Sequence, residues 1–384
     1  MSNERELGIY IHIPFCERKC LYCDFISYEI NEKIGIDAYF DALSKEIEAY
    51  ATALEGYSVK SIFFGGGTPS SVDGKYIAKV IKQLRNTVSF NDNIEITLEA
   101  NPGTLSEAKI NHYLSAGVNR MSLGLQTSDA KLLRDIGRIH NLNDFITSYE
   151  ALREKGFRNI SVDVMFGLPN QTLKQLETTL DFLIKIRPEH LSAYALKLEE
   201  GTPMYEMESK GLLKMPDEDL EREMYHLIQS KLSASGFQQY EISNFSKIGY
   251  ESKHNLIYWE NMPYIGLGVA AHSKFNQNRY HNPDTLLNYL NVAGQFNLQH
   301  EEKTFIDPEE DLFETIMLGL RLNKGLAYEN LNHKYKIDFL EKYKEAISKL
   351  LSNHLIEHDI KNKRIYLTSY GLDISNQVFV EFMN

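Results

Sequence analysis

Cysteine is nearly absent from this chain of 384 residues, and what there is lies in one place. Cys16, Cys20 and Cys23 all fall within Pro14 to Phe25, PFCERKCLYCDF, and there are no others. The odd count argues against a disulfide framework, as does an N-terminus, MSNERELGIYIHI, without the basic-then-apolar form of a secretory signal. Thiols this few fit a reducing cytoplasm. Long apolar runs are missing too: none approaches the ~18 residues of a membrane span. Positive charge is in deficit, with 41 Lys+Arg against 53 Asp+Glu and a formal charge of −12. That argues against a general nucleic-acid binder, because neutralising phosphates takes a basic surface. A local basic pocket for an anionic small molecule stays open.

What the chain does have is the spacing C-x3-C-x2-C. Three thiolates in one short loop can each take one iron of a cubic 4Fe–4S cluster and leave the fourth iron without a protein ligand. Electron-transfer clusters usually take four cysteines, so an open iron suits substrate or cofactor chemistry instead. The rival is a Cys3His zinc site, with His12 close by. His12 precedes the loop on an apparent strand, however, and zinc sites usually draw on two separated C-x2-C knuckles.

Around this loop the pattern is strand and helix in alternation. Leu7–Ile13 alternates and is rich in branched residues, so it predicts a strand. The following predicted strands are Val59–Phe64, Ile94–Glu99, Met121–Leu125, Ile160–Phe166 and Leu191–Leu196. Helical spacing over Ile36–Leu54, Gly74–Asn86, Ser106–Ser115, Asn143–Lys155 and Leu173–Ile186 separates them. Six such strands imply a parallel sheet with right-handed crossovers. They are too few for an eight-fold barrel, so the expected fold is α/β, an open partial (β/α)6 barrel. Its working face would lie at the strands' C-terminal ends, where Cys16, Gly66, Glu99, Gln126 and Asp163 gather.

The turn Gly65-Gly66-Gly67-Thr68-Pro69 lets backbone approach a ligand closely, with positive φ available. The Lys-Ser/Thr of a phosphate-binding P-loop is absent, and a tight turn with no ligand is the bland alternative. Glu99 alone reads equally as a solvated carboxylate. Gln126 and Asp163 are polar groups in or just after apolar strands, where an unpaired group costs ~1–3 kcal/mol. They therefore hydrogen-bond something: backbone, water or ligand hydroxyls.

The segments IPFCERKCLYCDF, FFGGGTPS, LEANPGT, SLGLQT and VDVMFGLPNQT resemble the radical S-adenosylmethionine (SAM) superfamily, and within it the coproporphyrinogen-oxidase-like family. The resemblance runs from about Tyr10 to His272. It implies a 4Fe–4S cluster on Cys16, Cys20 and Cys23, with SAM chelating the open iron and cleaved on reduction to a 5′-deoxyadenosyl radical. It implies SAM contacts from Gly66, Gly67 and Thr68 at the methionyl end and from Glu99 at a polar group. Gln126 and Asp163 match ribose-contacting positions, Arg138 a carboxylate-binding arginine, and Tyr10 and Tyr22 positions flanking the cluster. Family members hold one or two SAM molecules.

Past Leu198 the alternation stops. Asp217–Ser235 predicts an amphipathic helix and Gln238–Ile242 a strand. Lys253 to Lys274 then carries His254, Asn255, Tyr258 and Trp259, the single tryptophan. An imidazole among aromatic rings can ligate heme; a packed loop with its histidine bonded internally is the alternative. The H-N-x-x-Y-W pattern resembles the branch of the family that binds heme and delivers it to acceptor proteins such as respiratory-chain components. It makes His254 the expected heme ligand, ahead of His272 and His281. The rival activity is the oxygen-independent coproporphyrinogen III oxidase of porphyrin biosynthesis. That enzyme's pattern continues C-x3-C-x2-C-x-C, where this chain has Phe25, and has a longer extension before the cluster. An electron donor is implied as a partner; a homodimer is compatible, but no stretch demonstrates its interface.

From Pro308, helices are expected at Asp311–Leu320, Ala327–Lys334 and Phe339–Ser352, then a strand Arg364–Leu367 and a helix from Tyr370. This order resembles a winged helix, yet 10 Lys+Arg against 12 Asp+Glu over 308–384 disfavour a DNA-reading surface. The expected organisation is residues 1–200 as the barrel with its cluster, 201–307 as an extension with the HNxxYW segment, and 308–384 as a smaller α+β, winged-helix-like unit.

Overall fold

The computed structural model describes residues 5–30, 35–293 and 303–383. Six strands, β1 (Arg5–Ile13), β2 (Tyr57–Gly66), β3 (Ser89–Ala100), β4 (Arg120–Gln126), β5 (Ile160–Phe166) and β6 (His190–Ala195), lie side by side in chain order. Every neighbouring pair is parallel. The helices Ile36–Ala49, Gly74–Thr87, Glu107–Ala116, Leu142–Glu154 and Leu173–Ile186 make the crossovers.

Side chains alternate across a strand with period two, and that period sorts these sequences into two faces. Ile96 and Leu98 of β3, Met121, Leu123 and Leu125 of β4, and Ile160, Val162 and Val164 of β5 join the main hydrophobic core. The other face carries Glu95, Thr97 and Glu99, then Arg120, Ser122, Gly124 and Gln126, then Ser161 and Asp163. Here the sheet keeps its polar groups, and the site described below is built from them. Helix starts follow the sequence closely: Thr172 and Gln175 form a reciprocal capping box ahead of Leu173–Ile186.

The sheet is larger than the six strands expected. Residues 201–307, for which one strand was expected, supply β7 (Gln238–Glu241), β8 (Asn244–Ser246), β9 (Tyr264–Leu267), β10 (His272–Phe275), β11 (Asn278–His281) and β12 (Thr304–Phe305). The order is β12-β11-β10-β9-β1-β2-β3-β4-β5-β6-β8-β7, an open sheet of twelve strands among the described residues. β9 pairs parallel to β1, and β8 antiparallel to β6. Gln238–Glu241 answers to the one expected strand; the other five, of two to four residues, are too short for their alternation to register against turn residues. The expected helix Ile36–Leu54 ends at Ala49, and Phe339–Ser352 is broken at Tyr343 into Phe339–Lys342 and Lys344–Ser352.

A second hydrophobic cluster runs from Leu312 to Phe382, separate from the first. Helices Pro308–Leu320, Tyr328–Tyr335 and Lys344–Ser352 pack there on a three-stranded antiparallel sheet of Leu326–Ala327, Arg364–Leu367 and Ile356–Asp359. The boundary expected near 300–307 falls partly outside the described residues.

Candidate functional site

The cysteine loop leaves β1 and is pinned on three sides. Tyr28 N donates to Pro14 O at 2.8 Å and Ile30 N to Cys16 O at 3.0 Å, closing the loop on itself. Leu21 N donates to Ile136 O, and Met204 N to Leu21 O. Leu21 and Tyr22 pack on an apolar cluster that includes Leu132, Ile136 and Met204. The loop is therefore held by elements far away in sequence.

All three thiols line one cavity of about 130 Å³ at the C-terminal ends of the strands. Tyr22, Gly66, Gly67, Thr68, Glu99, Gln126, Arg138 and Asp163 line it too. Cys16 is buried, with Sγ 3.4 Å from Thr68 Oγ1. Burial pushes the thiol of Cys16 up, and that of Cys23 to about 11. Metal coordination would be what deprotonates them. The zinc alternative loses its fourth ligand, because both ring nitrogens of His12 are taken. Nε2 lies 2.7 Å from Ile26 O and Nδ1 3.1 Å from Tyr10 OH.

The glycine turn is tighter than ligand approach alone requires. Gly66 has φ +105°, and a Cβ there would sit 2.5 Å from the His12 ring. A Cβ on Gly67 would meet Phe15 O at 2.8 Å and Ile13 O at 2.9 Å. Gly67 N and Thr68 N donate to those same two carbonyls, so the turn is stitched onto the start of the cysteine loop.

Gln126 ends β4 with φ +68°, where β4 and β5 slip register. Left-handed backbone at a non-glycine residue costs roughly 1–2 kcal/mol, and such strain persists where surroundings over-determine it. Here it turns the amide into the cavity, Oε1 accepting from Tyr194 OH at 3.1 Å. Arg138 donates to Asn101 Oδ1 at 2.6 Å and Tyr22 OH at 2.9 Å, while its buried Nε has no partner. A guanidinium with a spare donor suits a carboxylate. Glu99 is pushed up to about 8, by burial first and by the neighbouring Asp163 second. Burial also raises Asp163, opposed by hydrogen bonds from Ser192 and Ser122, the latter at 3.2 Å. Three thiols, a cationic fork and hydrogen-bonding groups around one cavity are a donor set that fits an iron–sulfur cluster with a zwitterionic ligand.

Two expected residues are not brought to this wall. Tyr10 lies outside it, its ring stacked on Phe63 at 6.3 Å. His254 is 1% exposed, with Nδ1 2.8 Å from Ser61 Oγ and Nε2 2.9 Å from Tyr258 OH. Burial and then Arg120 push its pKa down to about 3. Both ring nitrogens of His254 are thus engaged within the chain, and the residue lines neither this cavity nor the larger one beside it. The helix Lys253–Trp259 docks it there, its first amides donating to Glu95 at 3.2 Å. Of the alternatives, His272 is exposed and stacks on His281 at 5.0 Å. Sequence reasoning missed Asn101, which links Thr68 Oγ1 to Arg138, and Tyr194. Asn101 was visible only as a residue of the chain-breaking Asn-Pro-Gly.

A second cavity, of about 530 Å³, adjoins the first and shares Tyr22, Cys23, Phe25, Glu99, Asp163 and Tyr194 with it. It extends toward Arg120, Asn244 and Asn255. Phe25 is 60% exposed at both walls.

An open parallel sheet that carries a three-thiol loop and a glycine turn at its strand ends is the architecture of a radical SAM protein. The Radical SAM superfamily model matches residues 10–183, and that of the HemN C-terminal domain residues 306–374. In fold the chain is similar to coproporphyrinogen III oxidase (HemN) from Escherichia coli, with TM-score 0.85, 22% identity, and 99% of this chain and 91% of that one covered. It is 38% identical to the heme chaperone HemW of Bacillus subtilis over 375 residues, 97% of this chain and 98% of the relative. With HemW of Lactococcus lactis it shares 34% identity over 374 residues, 97% and 96% of the two chains. The chain belongs to the HemW family of radical SAM proteins.

Proposed function

We propose that this protein is a heme chaperone, which binds heme and passes it to acceptor proteins such as respiratory-chain components in the cytoplasm. The observation that carries this reading is full-length similarity, across 97% of the chain, to relatives named for that activity. Cys16, Cys20 and Cys23 would hold a 4Fe–4S cluster. Gly66, Gly67, Thr68, Glu99, Gln126, Arg138 and Asp163 would hold SAM, with Tyr22 at the cluster's flank and Tyr10 behind it. The cluster, when bound and reduced by a donor, supplies an electron to the sulfonium. The chain's own part is geometric and electrostatic. Arg138 is pre-set by Asn101 and Tyr22 to receive a carboxylate, and Gln126 and Asp163 offer an amide and a carboxylate to hydroxyls.

Coproporphyrinogen III decarboxylation is the second reading. Its support is the fold likeness to HemN, and against it stands Phe25 in place of the oxidase pattern's fourth cysteine. Anaerobically reconstituted protein is the material for one decisive comparison. Heme titration followed by absorbance is expected to give stoichiometric binding that survives His254→Ala, and incubation with coproporphyrinogen III no protoporphyrinogen IX. Turnover of coproporphyrinogen would overturn the chaperone reading. Loss of heme binding in a folded His254→Ala protein would return that residue to ligand status.

A further inference from the structure

Arg120 opens β4 and shares its face with Ser122, Gly124 and Gln126. It is 2% exposed and lines the 530 Å³ cavity, at the end away from the cysteines. Among the described residues no hydrogen bond or ion pair reaches its guanidinium, and Nε is buried without a partner. Other arginines of the molecule are answered: Arg138 by Asn101 and Tyr22, Arg153 by Glu189 at 2.7 Å, Arg321 by Glu241 at 3.5 Å.

Glu99 and Asp163 feel the charge of Arg120, but no acid among the described residues bonds it directly. Glu95 accepts the amides of Lys253 and His254. Asp163 accepts from Ser122 and Ser192. Glu99 favours its neutral form at pH 7, being raised to about 8 by burial. The imidazoles nearby add no negative charge; His190 is bonded at both nitrogens, to Ser161 and Tyr240, each at 2.8 Å. A buried guanidinium whose donors go unbonded is disfavoured, so Arg120 has donors to offer an anion from outside the chain. One further unbonded group stands on the same cavity wall: the Asn255 side chain makes no hydrogen bond among the described residues. Asn255 is the asparagine of the HNxxYW segment, so its amide, unlike His254, does reach a cavity.

We propose that Arg120, with Asn255 on the wall of the same cavity, forms a carboxylate-binding subsite that anchors the acid group of a ligand lying along the cysteine loop. The choice of ligand rests on the chaperone reading: the carboxylate belongs to a porphyrin propionate or to the methionyl end of a second SAM, the first having its own carboxylate beside the cysteines at Arg138. Planar, two-pronged donation is what arginine offers a carboxylate.

The test uses full-length, cluster-reconstituted protein with Arg120→Gln and Arg120→Lys. Iron protoporphyrin IX and its dimethyl ester are titrated by absorbance, and SAM and decarboxylated SAM by calorimetry. Arg120→Gln is expected to weaken one acid ligand by about 10- to 100-fold, the worth of a charge-assisted pair. The matching ester or decarboxylated ligand should be unaffected, and Arg120→Lys intermediate. Loss confined to the porphyrin acid assigns the propionate; loss confined to SAM assigns the methionyl carboxylate. Because the SAM arm needs no heme, a failure of the chaperone reading leaves it intact. Folded Arg120→Gln that binds both acids within about twofold of wild type overturns the proposal. Should that variant not fold, wild type that binds each acid and its uncharged counterpart equally overturns it, as does wild type that binds neither acid.

Discussion

The carboxyl of Glu99 meets burial and the charge of Asp163 at once, and both oppose its ionisation. With a folded pKa of about 8 against an ordinary 4.5, it keeps a proton that the unfolded chain has lost between those values. Its contribution therefore lowers stability as pH rises from 4.5 to 8, since the folded state then binds more protons than the unfolded one. A cationic ligand group beside it reverses the balance. If Glu99 meets the ammonium or sulfonium of SAM, binding at pH 7 should release about one proton. Calorimetry in two buffers of different ionisation heat reads that release directly. Glu99→Gln should abolish it, and wild type that releases no proton would remove Glu99 as the partner. Gln126 and Asp163 were legible as buried polar groups needing partners. Arg120 and Tyr194 were not, because nothing in one strand's sequence tells which of its faces looks onto a cavity.

At the scale of elements, the glycine turn and the cysteine loop behave as one unit. A methyl on Gly67 would press on the backbone of Ile13 and Phe15, which no side-chain rotation relieves. Gly67→Ala should lower stability by about 2 kcal/mol or more, in the range of overpacked positions, and lower the iron retained on reconstitution. Gly103 is the control, with φ +88° and nothing within 4 Å of a Cβ. Gly103→Ala should cost only the left-handed backbone term, about 1–2 kcal/mol, and leave iron content unchanged. Thermal melts and iron assays measure both; equal iron contents would separate the turn from the loop. Three successive glycines announced a tight approach in the sequence. That the close partner is the chain's own backbone at residues 13 to 15 followed only from the pairing of β1 with β2.

Across the whole molecule, the C-terminal unit is fastened to the sheet by a buried cation. Lys274 of β10 reaches Asp311 at 2.7 Å, Glu314 at 3.0 Å and Asn261 at 2.5 Å. Arg321 caps Trp259 at 4.3 Å from the ring centre. Removing Lys274 leaves Asp311 with Lys334 and Glu314 with Arg279, so the cost should fall below the about 3–5 kcal/mol of a fully broken buried pair. Lys274→Met should therefore loosen Pro308–Leu320 from the sheet, read as faster limited proteolysis between the two units. Cleavage at the wild-type rate would show that the interface stands on other contacts. The HNxxYW segment takes its place in this frame: His254 packs on β2, Asn255 opens to the cavity, and Trp259 lies under the C-terminal unit.

Local pattern alone determined the six-strand alternation, most helix limits and the cysteine loop's capacity for an open-iron cluster. Those features live in spacing over a few to a dozen residues, where hydrophobic period and chain-breaking residues leave a direct mark. Tertiary structure decided the rest: five of the six short strands that widen the sheet, the enclosure of His254 between Ser61 and Tyr258, and the unbonded guanidinium of Arg120. Each depends on which distant segments lie opposite one another. Whether a histidine's ring is enclosed or an arginine is paired depends in part on distant neighbours such as Ser61 at His254, and no local period records them.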